Sequence, residues 1–258
     1  MIHTMRTRCK SIYSSTLQDG ICLLDAYNYW YEVIPAETNA LLDQVYKLRY
    51  QVYCCENNFE AADDFTDGRE IDEYDSRSVH SLLIDRSNNS VAGTVRIILP
   101  DVKKLDDCLP IQQFCSRQLI LDRKIPLRTT AEVSRFAISK TFRNGSPENN
   151  DHVTYPVDRQ ALAPYITLGL IRSLIQMSLD HGITDWFAVM EPSLLRLLAR
   201  FGIYFKPIGT LIDYHGMRQP SHIRLNDLLN EVYRDKFEIW QVLTNDGQLF
   251  NNSQRNIC

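Results

Sequence analysis

The sequence predicts a mixed α/β sandwich in a single domain, and three observations predict it. Segments of β-branched and aromatic residues cluster in the first half, at 27–34, 80–85, 91–99 and 131–138. In the second half strand and helix patterns alternate, which places helices against a sheet. Between the two halves lies the best helical pattern of the chain, Tyr165 to His181, in which Ile166, Leu170, Ile171, Leu174, Met177 and Ser178 recur at helical spacing.

Each element has a local reason. Tyr27 to Ile34 (YNYWYEVI) reads as a first strand, closed by Pro35. Thr38 or Asn39 then caps a helix, with Leu41, Leu42, Val45, Leu48 and Val52 on one face and Arg49 and Tyr53 beside it. Glu56 to Asp67 is polar, interrupted by Phe59 and Phe65, and reads as a loop. Strands His80–Asp85 and Val91–Leu99 meet at Ser87-Asn88-Asn89-Ser90, a turn sequence. Pro110, Ile111 and Phe114 are expected to dock on the core, with a short helix over 116–121. Thr141 to Ala163 carries Gly, Pro and Asn and reads as a loop. His181-Gly182 ends the long helix, Asp185–Met190 is a strand, and Glu191-Pro192-Ser193 opens a helix closed by Gly202. Strands over 204–207 and 208–214 and an amphipathic helix over 225–237 complete the prediction. The expected organisation is an N-terminal arm (1–26), one domain (27–240) and a polar tail (241–258).

Composition narrows the function. A net charge of −4 with both signs interspersed gives no electrostatic footprint for nucleic acid. The seven cysteines form no C-x-x-C pair, which points to a reducing compartment rather than a disulfide framework or zinc site. No apolar run approaches the ~18 residues needed to span a membrane, so the expectation is a cytoplasmic protein without an integral membrane segment. No G-x-G-x-x-G, P-loop, H-E-x-x-H or G-x-S-x-G is present, and no metal site is expected. Cys115 has no neighbouring motif to activate it as a nucleophile.

The chemistry is concentrated in Ala131–Ile138 (AEVSRFAI), an apolar strand that carries Glu132, Ser134 and Arg135. Such charges are costly to bury unless paired. Upstream, period-2 alternation sets Arg96 among apolar neighbours, so it needs an anion, and Asp72, Asp75 and Glu132 are the candidates. The acids of 68–75 read either as a solvated turn or as partners of buried arginines. Strict alternation puts Glu132 and Ser134 on one face and Arg135 on the other, and a bulge here would turn a backbone N–H toward a ligand.

Taken in order, Leu48-Arg49-Tyr50-Gln51-Val52-Tyr53, Glu70-x-Asp72-x-x-Asp75, Gly93-Thr94-Val95-Arg96 and Glu132-x-Ser134-Arg135-Phe136 resemble the acyl-homoserine-lactone (autoinducer) synthases of the GNAT superfamily. Segments 48–56, 75–100 and 190–220 are similar to acyltransferases associated with PEP-CTERM/exosortase systems, relatives of long-chain N-acyl amino acid synthases. The resemblance implies a GNAT-like mixed sheet split at the strand holding Glu132, with helices on both faces. It implies no permanently bound cofactor and an acyl-phosphopantetheine thioester, on acyl carrier protein or coenzyme A, as cosubstrate. By the same resemblance Glu132 and Ser134 are the catalytic candidates, Glu132 as base. Arg49, Tyr53, Phe59, Asp72, Asp75, Arg96, Arg135 and Phe136 are the substrate-binding candidates, with Arg96 able to hold an acceptor carboxylate bidentately.

An acidic carrier protein would dock on basic residues, for which Arg143, Arg159, Arg172, Arg196, Arg200 and Lys206 are candidates. The homoserine-lactone enzymes have Trp where Phe59 stands, and the usual acetyl-coenzyme A loop is missing before Tyr165. The expected function is therefore transfer of a long-chain acyl group to the amine of an amino acid or similar small acceptor. The alternatives are a homoserine-lactone synthase using S-adenosylmethionine and a non-catalytic acyl-binding protein.

Overall fold

A computed structural model describes residues 21–115, 117–143, 159–213 and 216–253. The strands are β1 (Tyr31–Pro35), β2 (Ser78–Asp85), β3 (Ser90–Ile98), β4 (Thr130–Ile138), β5 (Asp185–Met190), β6 (Lys206–Pro207), β7 (Ile212–Asp213) and β8 (Met217–Arg224). The helices are α1 (Leu23–Trp30), α2 (Asn39–Tyr50), α3 (Arg117–Asp122), α4 (Lys140–Arg143), α5 (Arg159–Leu162), α6 (Thr167–Asp180), α7 (Pro192–Arg200), α8 (Leu225–Asp235), α9 (Phe237–Thr244) and α10 (Gln248–Ser253). The sheet order is β1-β2-β3-β4-β5-β8-β6, with β7 on β8. Every pairing is antiparallel except β4 with β5. This is the mixed α/β, GNAT-like fold that the sequence predicts.

Period-2 alternation sends neighbours in β5 to opposite layers. Trp186 joins the core under α1, α6, α8 and α9, while Phe187 joins a second core with Ile98, Ile111 and Ile120. Helix α2 covers Leu82 and Ile84 on that second face. Its N-cap is Thr38, whose Oγ1 accepts from Leu41 N–H at 3.3 Å. Glu191 caps α7 with Pro192 at its first position, and Gly182 and Gly202 leave their helices at φ of 65° and 83°.

Several expectations are corrected. Tyr27 to Trp30 are helical, not strand. Leu23, Ala26 and Tyr27 fall on one buried helical face, and the Tyr27 hydroxyl donates to Ile166 O at 3.0 Å. That tertiary burial overrides the β-propensity of the aromatics. The strands expected over 204–207 and 208–214 shrink to the two-residue β6 and β7. The long strand here is β8, whose polar residues and Pro220, which lacks a ladder N–H, give no strand pattern in sequence. The helix over 225–237 is two helices broken at Lys236, and the packed core extends past residue 240 to Val242, Leu243 and Leu249. Of the loop expected over 141–163, residues 144–158 lie outside the described residues, and α4 and α5 occupy its ends. Among the described residues no single helix is long and apolar enough to cross a membrane.

Two features open the middle of the sheet. Pairing between β4 and β5 ends at Val133–Ala188, although β4 runs on to Ile138 and β5 to Met190. On its other edge, β4 slips register against β3 between Thr94 and Arg96. There Arg135 adopts φ +49°, a left-handed conformation that is uncommon for a non-glycine residue. Opposite the end of β4, Gly93 has no side chain because a Cβ would lie 2.9 Å from Ala137 O.

Candidate active site

A cavity of about 890 Å³ occupies the split, lined by both strands past their last pair, by the start of α7 and by the loop over 57–74. Eight of the ten site residues expected from sequence line it: Tyr53, Phe59, Asp72, Arg96, Glu132, Ser134, Arg135 and Phe136. Arg49 and Asp75 do not. They lie behind the wall and hold the residues that do, so neither is placed to touch a substrate directly.

The wall is held by a buried ion cluster. Arg49 is the last buried residue of α2's apolar face, fully enclosed rather than solvated. It donates from Nε to Glu70 at 2.5 Å and from Nη1 to Asp75 at 2.7 Å. Arg135 forks onto Glu70, Nη2 to Oε1 at 2.8 Å and Nε to Oε2 at 3.0 Å, and its Nη2 is 3.1 Å from Asp72. Arg96 donates from Nη1 to Asp72 at 2.6 Å and Asp75 at 2.7 Å, and from Nε to Ser134 Oγ at 2.9 Å. Three guanidinium groups thus face the carboxylates of Glu70, Asp72 and Asp75, with Glu60 a further 3.6 Å from Arg135, so each ion is paired, which is the condition for burying charge. Asp72 and Asp75 also cap each other's turn: Asp72 N–H donates to Asp75 Oδ2, and Tyr74 N–H to Asp72 Oδ1.

Glu70 is the member absent from the expected site set, although its motif was visible. It is buried, and its N–H bonds Tyr46 O on α2. Burial works against its charge, but the bonds from Arg49 and Arg135 outweigh that and hold its carboxyl below the usual range. The bulge explains how Arg135 reaches this cluster: the left-handed residue re-aims the side chain that strict alternation would send away. The same geometry removes one expectation. Both Nη1 hydrogens and the Nε hydrogen of Arg96 are engaged, so Arg96 has no intact fork for a second carboxylate.

Glu132 stands apart from the cluster. Its side chain is buried, and its Oε2 accepts from Ile111 N–H at 2.8 Å. Burial pushes its carboxyl up to about 7, against the Ile111 bond and the nearby charges of Arg96 and Arg77. A carboxylate this basic at the floor of a cavity suits proton abstraction near neutral pH. Cys115 is also buried, which drives its thiol up to about 11, away from nucleophile chemistry. Among the described residues no group of His, Cys, Asp and Glu could hold a metal ion. Arg172, one of the candidate docking cations, is buried against Val242 O and Asn28 and cannot meet a partner protein.

Behind the cluster His80 is buried, edge-on to Tyr46 and 3.4 Å from Asp75. Burial first, and the charges of Arg49 and Arg96 against that of Asp75, bring it down from 6.5 to about 4. The folded chain therefore binds fewer protons at His80 than the unfolded chain between pH 4 and 6.5, and stability drops as pH falls there. Glu132, raised from 4.5 to about 7, binds more protons when folded, so stability drops as pH rises through that range. Between about pH 5 and 6.5, above the range of ordinary carboxylates, the two slopes oppose each other. Urea unfolding of the wild type should thus be nearly flat with pH there. His80→Gln should uncover a loss of stability with rising pH, up to ~1.4 kcal/mol per pH unit, and Glu132→Gln the opposite slope. If both variants stay flat, neither group titrates as its burial demands.

Residues 48–149 match the family described as Acetyltransferase (GNAT) domain. No curated protein matches the sequence. Among solved structures, BjaI, a CoA-dependent acyl-homoserine lactone synthase with SAM and isopentyl-CoA, is 20% identical with a TM-score of 0.54, over 80% of this chain and 88% of its own. TofI, in a ternary complex with an inhibitor and MTA, is 16% identical with a TM-score of 0.57, over 85% and 99%. FeeM, an N-acyl amino acid synthase from uncultured soil microbes, is 15% identical with a TM-score of 0.54, over 80% and 97%. At these identities the likeness is one of fold. Residues 48–149 thus match a GNAT acetyltransferase domain, and the chain as a whole shares the fold of the acyl-homoserine lactone and N-acyl amino acid synthases.

Proposed function

We propose that the protein is an N-acyltransferase that moves a long-chain acyl group from a phosphopantetheine thioester to the amine of an amino acid or similar small acceptor. The observation that carries this reading is Glu132: a buried carboxyl, raised to about 7, lining the cavity where β4 and β5 part. The thioester would lie in that parting, between Phe136 and Ile138 of one strand and Val189 and Met190 of the other, with Leu194 and Leu197 of α7 beside it. A cavity of about 890 Å³ is near the top of the usual range for small-molecule sites, more than an acetyl group needs. The similarity of 48–56, 75–100 and 190–220 to the PEP-CTERM/exosortase acyltransferases supports a long chain and the same association. Acyl carrier protein and coenzyme A both present the required phosphopantetheine arm.

An α-amine has a pKa of about 8 and enters mostly protonated. Glu132, directly or through one water, takes a proton from the ammonium and frees its lone pair, and the nitrogen then attacks the thioester carbonyl. The C–N bond forms, the tetrahedral oxyanion collapses, the C–S bond breaks, and the sulfur leaves as thiolate and takes up a proton. Backbone donors at the bulged, unpaired end of β4 would meet the oxyanion, a role that the register slip and the end of pairing there support. Ser134, whose oxygen accepts from Arg96, keeps its own hydroxyl proton for a bond into the cavity. The Arg–carboxylate cluster holds this strand in place.

The homoserine-lactone reading uses the same donor but S-adenosylmethionine as acceptor; Phe59 in place of Trp separates this chain from that family's pattern. Purified protein supplied with palmitoyl thioesters of coenzyme A and of a carrier protein should release thiol only when an amine acceptor is added. Lipid extracts of an expressing host should gain N-acyl amino acids by mass spectrometry. Acyl-homoserine lactones there would establish the second reading, and no thiol release with any acceptor would leave only an acyl-binding protein.

A further inference from the structure

We infer that Arg218 holds the carboxylate of the acceptor and so selects amino acids over simple amines. This rests on the N-acyltransferase reading above. An amino-acid acceptor brings an anion into the cavity next to its amine, and an anion buried there needs a cation. Four arginines line the cavity: Arg96, Arg135, Arg143 and Arg218. The first two are engaged with the carboxylates of the cluster. Arg143 reaches Glu56, at 3.4 Å, and is 43% exposed.

Arg218 is differently placed. Strand β8 carries it just past the last residue of β5, in register with Ile212 of β7, while its neighbour Gln219 faces Met190. Its guanidinium lies 5.3 Å from the Phe59 ring centroid, and Phe59 is 6.0 Å from Tyr53, over which Arg135 stacks at 5.2 Å. Two stacked arginines are thus joined by one aromatic pair: Arg135 anchors the strand, and Arg218 faces the same cavity from the opposite sheet half. Its side chain is only 16% exposed, so it is desolvated enough to bind strongly. Glu191, 3.5 Å away, is 44% exposed and also accepts from Ser193 Oγ at 3.2 Å. Glu191 is the more exposed partner and can turn to water, so an incoming carboxylate competes with it for the guanidinium. Planar guanidinium stacked on an aromatic ring presents its edge for a bidentate carboxylate.

The rival anion is the phosphate of the phosphopantetheine donor, and the experiment separates the two. Thiol release is measured with palmitoyl thioesters of coenzyme A and of carrier protein, using the standard amino acids and their primary amides as acceptors. The amide keeps the amine and removes the charge. Wild type should favour the acid over its amide by roughly 10²-fold in kcat/KM. Arg218→Ala should collapse that preference to within about 3-fold, and Arg218→Lys, which keeps the charge without the fork, should fall between. Arg218→Gln serves if the alanine variant does not fold. A preference that survives in Arg218→Ala and Arg218→Gln overturns the inference. So does a rise in KM for the thioester with the acid/amide ratio intact, which would assign Arg218 to the donor phosphate. If wild type releases thiol with no acceptor, the N-acyltransferase reading itself falls and takes this one with it.

Discussion

Glu132→Gln should lower kcat by roughly 10²-fold or more while leaving the fold intact. Glutamine has the same shape and keeps an oxygen for the Ile111 N–H bond at 2.8 Å, so the cavity floor need not move. It cannot take a proton. The change also relieves a burden, because the wild-type carboxyl must ionise in a buried site; the variant should be no less stable than wild type above pH 7. Loss of activity with retained stability distinguishes a base from a packing residue. The pH profile adds a second readout. In wild type kcat/KM should rise along two limbs, one near 7 from Glu132 and one near ~8 from the amine. The variant should keep only the amine limb. Wild-type turnover in Glu132→Gln would remove Glu132 from the chemistry, and an unchanged profile would do the same.

How much of this was legible in the chain depends on whether a residue's neighbours in sequence are its neighbours in space. Arg96 was readable because β3 alternates regularly from Thr94 to Ile98, past its register shift at Ala92: alternation put a guanidinium among apolar residues and demanded an anion. Asp72 and Asp75 were readable as that anion. The open split was implied by resemblance, and the bulge was named only as an option, since a strand pattern cannot say where pairing stops. Glu70 was not singled out because four acids in a polar loop look alike until the loop is laid against α2. Tyr46 O and Arg49 then choose Glu70 and leave Glu73 in solvent. Arg218 was invisible because β8 was: a polar segment with Pro220 gives no strand signal, and its strand character comes from β5 and β6 on either side. Tyr27 failed in the opposite direction, its strand propensity overruled by a helical face that only α6 makes useful.

Glu70→Ala should be the most destabilising single change in the site, by about 3–5 kcal/mol. Glu70 is fully buried and is shared by two arginines, Arg49 with no exposed surface and Arg135 at 16%. Removing it leaves three guanidinium groups, Arg49, Arg96 and Arg135, facing two carboxylates, Asp72 and Asp75, with the Nε of Arg49 enclosed and unbonded. An uncompensated buried cation is far costlier than the net worth of the intact pair, which is why truncation hurts more than the pairing helps. Against a typical total of ~5–15 kcal/mol this comes near to unfolding the domain. Glu70→Gln keeps the shape and one acceptor oxygen and should lose less. Glu73→Ala, three residues along in the same acidic stretch but exposed, should stay within about 0.5 kcal/mol of wild type. Urea midpoints of the three variants test the order. If Glu73→Ala costs as much as Glu70→Ala, the loop does not pack as described. If Glu70→Ala is as stable as wild type, the cluster does not carry the bulge that aims Arg135, and the geometry around Glu132 must be held by something else.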